Sequence, residues 1–225
     1  MKSRLKVVWF WRTLWKISSQ TSNGKEPLLE VEHEMTEVRG TEILDMKSTV
    51  HHIVANILPV DDLEEEHIQD TLSWIQSGAP LFRIQKPDVP ARHLVSYFML
   101  FDEEAKKVLL VDHKKAQLWL PTGGHVEIDE HPRDAVIREC FEELKIEAEF
   151  WKNDPIFLTS TKTVGLTAGH TDVSLWYVLK GSHRGVYQFD PEEFTAIQWF
   201  NLDEIPHERS DLHMQRFINK LRGCL

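Results

Sequence analysis

Cysteine is scarce in this chain: Cys140 and Cys224 are the only two among 225 residues. Two cysteines cannot build the disulfide framework of a small secreted protein. Such a low number is typical of proteins in a reducing compartment, and we therefore predict a cytoplasmic protein. Long apolar stretches are also missing, because no run approaches the roughly 18 residues that a membrane-spanning helix needs. The sequence therefore predicts a globular protein without disulfides or membrane spans.

Positive charge is the next deficit. The chain has 26 Lys and Arg residues against 36 Asp and Glu residues, which gives a formal net charge of −10. This balance argues against non-specific binding to nucleic acid, and we expect no nucleic-acid partner. A small phosphorylated substrate is still compatible with it, because a bound metal ion would supply local positive charge.

The N-terminal segment departs from this acidic balance. Residues 1–17 carry five Lys and Arg residues, three tryptophans and no acid. Three interpretations stay open: a helix on a membrane surface, a helix docked on the protein itself, or a leader ahead of a start at Met35 or Met46. Residues 18–45 are polar and are interpreted as a linker. We therefore predict an extension over 1–45, a helical segment over 46–90 that packs on the main domain, and that domain over 91–225.

Hydrophobic patterning predicts an α+β protein. Acidic residues in a first helical turn indicate a helix from Asp62 to near Gly78, with Ile68, Leu72 and Ile75 facing inward. A last helix is expected from about Asp211, with an apolar face of Leu212, Phe217, Ile218 and Leu221. Apolar runs bounded by turn residues predict strands at 93–102, 106–115, 156–163, 170–181 and 196–202. Residues 117–124 are expected to contain the end of a strand near Leu120 that runs into a turn at the glycine pair.

The most informative stretch is residues 123–146, GGHVEIDEHPRDAVIRECFEELKI. Pro132 suits the first turn of a helix, which runs to about Leu144 with an apolar stripe of Ala135, Val136, Cys140 and Leu144. Three carboxylates share another face of this helix, those of Glu139, Glu142 and Glu143. Such like charges destabilise a bare helix by roughly 0.2–0.5 kcal/mol per pair, and a bound divalent cation reverses the sign of that effect.

A solvated acidic helix face is the competing interpretation of these glutamates. Six specified positions match one template here, and chance would produce such a match on the order of once in 10⁴ chains of this size. The spacing therefore favours a metal site.

The stretch resembles the signature box of the Nudix hydrolases at Gly124, Glu130, Arg138, Glu139, Glu142 and Glu143, and at the apolar Cys140 and Ile146. The resemblance implies a Nudix-type α/β/α sandwich with a mixed central sheet. It also implies hydrolysis of a nucleoside diphosphate linked to another group, with Mg²⁺ or Mn²⁺ as cofactor. One position departs from the family pattern, because Lys145 replaces a glycine that would end the helix in a left-handed conformation.

Roles for single residues follow from the resemblance. It implies that Glu139, Glu142 and Glu143 bind metal and that Glu139 also activates water. It further implies that Arg138 orients these glutamates. Two residues are expected to assist, namely Glu130 as a supporting carboxylate and Gly123 through its carbonyl oxygen.

Weaker expectations concern residues outside the box. The resemblance suggests an acidic residue in a late loop as a further metal ligand, and we select Glu193, although a solvated turn explains it equally well. His125 lies beside the glycine pair and is a candidate phosphate contact. Asp172, Trp176 and Tyr177 are candidate substrate contacts, with the two rings stacking a base, and the competing interpretation is a polar turn followed by core aromatics.

The predicted reaction is metal-assisted attack of water on phosphorus, that of a pyrophosphohydrolase. A non-catalytic nucleotide-binding module and an isomerase on the same fold are the alternatives. The sequence leaves open whether the substrate is a nucleoside triphosphate or a nucleotide derivative such as a nucleotide sugar. It also leaves open the oligomeric state, and it predicts no partner beyond the substrate, apart from the membrane contact considered for residues 1–17.

Overall fold

The computed structural model describes residues 10–13, 33–36, 45–86, 88–163 and 169–225. The chain divides into two units, Met1–Ile43 and Leu44–Leu225. In the first unit, β1 (Phe10–Thr13) pairs antiparallel with β2 (His33–Thr36). The helical interpretations are therefore wrong for Phe10–Thr13, and the linker interpretation is wrong for His33–Thr36. The rest of the predicted extension lies outside the described residues.

The second unit contains the remaining helices and strands. Its helices are α1 (Met46–Ala55), α2 (Asp62–Gln76), α3 (Pro132–Leu144) and α4 (Met214–Gly223), with a 3₁₀ turn at His207–Arg209. Its strands are β3 (Arg92–Asp102), β4 (Lys107–His113), β5 (Leu118–Leu120), β6 (Thr122–His125), β7 (Phe157–Lys162), β8 (Thr171–Lys180) and β9 (Phe194–Asn201). None of the helices in the described ranges is both long enough and apolar enough to cross a membrane.

The seven strands of this unit form one mixed sheet in the order β5-β4-β3-β8-β7, with β6 also pairing with β3 and β9 with β4. The β3 and β8 strands run parallel, in register from Arg92 opposite Thr171 to Phe101 opposite Lys180. The other pairs are antiparallel. Parallel neighbours need a crossover, and the chain between β3 and β8 supplies one that contains α3.

The two faces of the sheet have separate cores, because successive side chains of a strand point to opposite faces. On β3, Leu94, Phe98 and Leu100 belong to a core that also contains buried residues of α1, α2 and α3. Met99 and Phe101 belong to the other core, which α4 covers. This arrangement is an α/β/α sandwich with a mixed sheet, so the predicted fold class is confirmed.

Helix α2 is tied to α4 by charged groups. Asp61 caps α2 by accepting a hydrogen bond from the Glu64 amide at 2.9 Å, and it also binds Arg216 of α4 through Nε at 2.7 Å and Nη2 at 2.5 Å. Glu64 is fully buried and pairs with Lys220 of α4 at 2.6 Å. The same carboxylate accepts hydrogen bonds from the amides of Val60 and Leu158, so this buried charge is fully partnered.

The predicted elements agree with the structure except in a few places. The predicted glycine turn after Leu120 is instead a second strand, β6, which is separated from β5 at Pro121 because proline has no N–H to donate to a ladder. β5 pairs with β4, whereas β6 pairs with β3. Leu212, predicted to face inward, is 65% exposed because α4 begins only at Met214.

Candidate active site

Helix α3 positions the box carboxylates. His131 caps its N-terminus by accepting a hydrogen bond from the Arg133 amide at 3.1 Å, and Pro132 occupies the first turn. The predicted stripe of Ala135, Val136, Cys140 and Leu144 is fully buried, which fixes the rotation of the helix about its axis. The face that carries the glutamates is therefore held against the glycine pair of β6.

The helix ends at Lys145 in the left-handed conformation, with φ 55° and ψ 36°. This lysine thus adopts a backbone geometry that favours glycine, at a cost of about 1 kcal/mol. Its amide donates to the Phe141 carbonyl at 3.1 Å, and its ammonium donates to the Glu142 carbonyl at 2.8 Å, which partly offsets the strain. The substitution therefore leaves the box helix intact.

Arg138 connects three parts of the site. Its Nε and Nη2 bind the two oxygens of Glu130, each at 2.9 Å, in a bidentate pair. Its Nη1 donates to Glu139 Oε1 at 2.6 Å, and its Nη2 also donates to the His125 carbonyl at 3.1 Å. Glu142 lies 3.7 Å from Nη1 and is 59% exposed, so it is a peripheral partner. The guanidinium therefore contacts Glu130, Glu139 and the β6 backbone together, and Glu130 is the carboxylate that it binds with two hydrogen bonds.

The glycine pair brings the β6 backbone close to the carboxylates. The Gly123 amide donates to Glu143 Oε2 at 2.9 Å, and its φ of +141° is a conformation that other residues rarely adopt. A Cβ at Gly124 would lie 2.0 Å from Glu139 Oε1, an overlap that only the absence of a side chain avoids. A Cβ at Gly123 would instead meet the Ser96 carbonyl oxygen of β3 at 2.2 Å, so Gly123 lets β6 lie close to β3 and Gly124 leaves room for the Glu139 carboxylate.

The electrostatics of the carboxylates fit a cation. Burial raises the pKa of Glu143 well above its ordinary value, and the neighbouring Glu139 charge raises it further. Burial also raises the pKa of Glu139, although Arg138 opposes this effect. The charge of the exposed Glu193 also raises the pKa of both carboxyls. Buried, mutually repelling oxygen donors are the kind of ligand set that a hard divalent ion stabilises.

Trp176 and Tyr177, which were predicted to stack on a base of the substrate, lie in the core instead. Trp176 and Tyr177 are each only 1% exposed. The indole of Trp176 packs against Phe157 and Phe217 and donates its N–H to Thr159 at 3.0 Å. Neither ring offers a face to a base without opening the core. The prediction that they stack on substrate is corrected to the alternative interpretation of core aromatics.

His125 and Asp172 also differ from the expectation. The ring of His125 lies 4.7 Å from the ring of His93, centroid to centroid, and 6.4 Å from that of His170. Asp172 lies 3.3 Å from His93 Nε2 and 3.2 Å from His170 Nε2. Because Gly124 faces Glu139 and successive strand residues face opposite ways, the His125 ring points away from the box carboxylates. The two side chains belong to a separate histidine cluster.

That cluster was not predicted from the sequence. Asp88, His93, His125 and His170 each present one ligand atom within 4.8 Å of the others, an arrangement that could hold a metal ion. Its members are spread over more than eighty residues, with no His pair at ligand spacing. Only the pairing of β3 with β6 and β8 brings them together.

A family model described as the NUDIX domain matches residues 91–221. The chain belongs to the NUDIX family. Hydrolases of this family generally use divalent metal ions. A curated relative, the "MutT-like protein" of Streptomyces ambofaciens, is 26% identical over 140 residues, which cover 62% of this chain and 84% of that protein.

Solved structures of NUDIX proteins resemble this chain as well. One is a MutT NUDIX hydrolase from Burkholderia pseudomallei, with 22% identity, a TM-score of 0.49, and coverage of 57% of this chain and 97% of that one. Another is the NUDIX domain of Shewanella oneidensis NrtR, solved with ADP-ribose, with 18% identity, a TM-score of 0.49, and coverage of 63% and 94%.

Proposed function

We propose that this NUDIX protein is a pyrophosphohydrolase that cleaves a phosphoanhydride bond in a nucleoside diphosphate linked to another group, with Mg²⁺ or Mn²⁺ as cofactor. One observation carries the proposal: Arg138 joins Glu130 to Glu139 while Gly123 anchors Glu143, so the box carboxylates converge where the β6 backbone comes close. The oxygens of Glu139, Glu142 and Glu143, with the Gly123 carbonyl, would hold the ion. Glu193 is the proposed further ligand.

A bound divalent ion would neutralise charge on the diphosphate and lower the pKa of the attacking water. The side chains of the protein position one another and accept the proton of the attacking water. Arg138 holds Glu139 Oε1 at 2.6 Å, so the orientation of that carboxylate is fixed before substrate arrives. Glu139 is the proposed base that takes the proton of the attacking water. Glu130 holds the far side of the Arg138 guanidinium and keeps it from turning toward substrate.

Two alternatives have less support. An isomerase would need a proton-transfer residue, and burial raises the pKa of Cys140 to about 12 in the core, which makes its thiol a poor acid or base. A binding module without catalysis would not need buried, mutually repelling carboxylates, whose placement costs stability. Hydrolysis is the activity that makes use of them.

The proposal is tested by assaying hydrolysis of nucleoside triphosphates, nucleotide sugars and dinucleotides with Mg²⁺, in wild type and in Glu143→Gln. Glutamine retains the oxygen that accepts from Gly123 but removes the charge. We expect kcat to fall by about 100-fold or more, while the thermal stability is equal or higher because a buried charge is removed. Exposed Glu147 provides the matched control, since Glu147→Gln leaves the site untouched.

Chelation gives the second arm of the test. Excess chelator should abolish turnover, and added Mg²⁺ or Mn²⁺ should restore it. Full turnover in chelator would overturn the mechanism. Nucleotide binding with no turnover of any compound would identify the non-catalytic module instead. The compound with the highest kcat/KM would define the substrate class.

A further inference from the structure

The histidine cluster lies on the sheet face opposite the box carboxylates. His93 near the start of β3 pairs in register with Asp172 of β8, and Val95 pairs with His125 at the end of β6. Residues in register, or two apart on one strand, share a face, so all three side chains lie on the same side. His170 precedes β8, and Asp88 lies in the loop before β3. The cluster therefore joins three strands and two connecting segments.

His93 and His125 each keep one ring nitrogen without a hydrogen-bond partner, whereas His170 Nδ1 lies 3.2 Å from Thr163 Oγ1. The Nδ1 atom of His93 lies 2.8 Å from the Pro90 carbonyl, which can only accept, so Nδ1 carries the proton. Its Nε2 atom is fully buried and has no hydrogen-bond partner, and the same holds for His125 Nε2. A carbonyl that fixes one ring nitrogen while the other stays free is the usual arrangement around a metal-binding histidine.

The carboxylates approach the same nitrogens without hydrogen-bond geometry. The Oδ1 atom of Asp172 is buried and lacks a hydrogen-bond partner, although His93 Nε2 and His170 Nε2 lie within 3.3 Å of it. The Oδ2 atom of Asp88 lies 3.3 Å from His170 Nδ1. Ligand atoms around a tetrahedral zinc ion are separated by about 3.3 Å, as its bond lengths require. The Asp88–His170 pair is thus already at coordination spacing. The ligand atoms of Asp88, His93, His125 and His170 all lie within 4.8 Å of one another, so a bound ion would draw the more distant ones closer.

The charge of the neighbourhood also favours a cation. The two aspartates bring two negative charges, and Arg83 is the cation whose field reaches His93 and His125. With neutral imidazoles the sum is −2 + 1 = −1 before any ion binds. Three imidazoles and a carboxylate suit Zn²⁺ and its neighbours among the transition metals, whereas Mg²⁺ prefers oxygen ligands.

We propose that His93, His125, His170 and Asp88 bind one transition-metal ion of the Zn²⁺ class, at a site separate from the box carboxylates. Asp172 is a positioning residue that contacts two of the imidazoles. The ion would fasten the loop before β3 and the segment before β8 to the sheet. The site has a structural role in this assignment, and the proposal stands whether or not the hydrolase function does.

The test uses the full chain, stripped with chelator and then titrated with Zn²⁺ and with Co²⁺. We expect one Zn²⁺ per chain to remain after dialysis, a visible absorption band with Co²⁺ that Zn²⁺ abolishes, and a rise in melting temperature.

Asp88→Asn keeps volume at a partly exposed position and should weaken Zn²⁺ binding at least about tenfold. Asp172→Asn should weaken it about 10–100-fold through ligand orientation. His170→Gln should remove it.

Two controls separate this site from the box. His52→Gln changes an exposed histidine outside the cluster and should bind Zn²⁺ as wild type does. The double variant Glu139→Gln/Glu143→Gln should also keep the Zn²⁺ ion and the Co²⁺ band. Loss of the ion in that double variant, with retention in Asp88→Asn and His170→Gln, would overturn the proposal. The proposal would also be overturned if the wild-type protein retained no Zn²⁺. An ion pair between a protonated His93 and Asp172 would then explain the cluster.

Discussion

Arg138 contacts several other residues of the proposed site. Its three nitrogens contact two carboxylates and one carbonyl, and the nearest of these, Glu139 Oε1, is 2.6 Å away. Such a network requires the planar fork of a guanidinium, whose donors have fixed directions, whereas a lysine ammonium acts as a point charge. The side chain is therefore better suited to positioning Glu139 than to binding phosphate.

The first prediction concerns Arg138→Lys. Because one ammonium cannot hold Glu130 with two bonds and also reach Glu139, the base should lose its orientation. We expect kcat to fall by about 100-fold with KM nearly unchanged, the pattern of an interaction that matters in the transition state. Steady-state kinetics on the best substrate measure both constants. A raised KM with kcat preserved would show instead that Arg138 binds phosphate directly.

A second prediction concerns Gly124→Ala. The added methyl group would lie 2.0 Å from Glu139 Oε1, so the carboxylate must move. We expect a loss of about 10–100-fold in kcat, since misplacement by an ångström has costs of that size. The matched control is Gly223→Ala in α4, where a Cβ meets nothing within 4 Å. Wild-type turnover by Gly124→Ala would show that the position of Glu139 is not critical.

At this scale the sequence predicted the helix of the box, and helical spacing alone places Arg138, Glu139, Glu142 and Glu143 on it. It could not place Trp176, Tyr177 or His125, since each lies on a strand and the buried or outer face depends on register. The histidine cluster could not be predicted for a similar reason, because strand pairing and two connecting segments bring its members together.

At the scale of elements, the attachment of α2 to α4 is the clearest long-range tie. Asp61 caps one helix and pairs with Arg216 of the other, and these hydrogen bonds lower the pKa of its carboxyl to about 2 despite the opposing effect of burial. The sequence indicated acids at the start of α2 from the helix dipole. It could not indicate Arg216, which is 155 residues away.

A third prediction follows for Asp61. A carboxylate with a lowered folded-state pKa stabilises the protein above its unfolded pKa of about 3.9, and this contribution is lost as the pH falls toward 2. Asp61→Asn keeps the cap but loses the ion pair, so it should be less stable than wild type by up to about 1 kcal/mol at pH 7, given the solvent screening. The difference should shrink between pH 4 and pH 2, as measured by urea unfolding.

Asp61→Ala is the companion variant, because it removes the cap as well. It should cost a further 0.5–2 kcal/mol (about the usual value of an N-cap) at pH 7 and at low pH alike. Equal stability of the alanine and asparagine variants would show that the cap contributes nothing here.

At the scale of the whole molecule, all residues of the candidate site fall in the unit Leu44–Leu225. We predict that deleting residues 1–43 leaves folding and hydrolysis unchanged. The cut spares Asp45, whose carbonyl accepts from the Thr49 amide at 3.0 Å and begins α1. Circular dichroism and kinetics check the two parts of the claim. A truncated protein that folds but does not turn over substrate would show that the N-terminal segment completes the site or an oligomer.

Strand β3 has a consequence for motion. It pairs with β8 along ten positions, and its stretch from Val95 to Phe98 also pairs with the β6 segment that carries the glycine pair. The amides of a strand that is paired along both edges exchange with solvent when the whole domain unfolds. The glutamates and the histidine cluster approach this one strand from opposite faces, so the central amides of β3 would register occupancy of either site. Hydrogen exchange at these few amides would therefore report the binding of either of the two proposed metal ions.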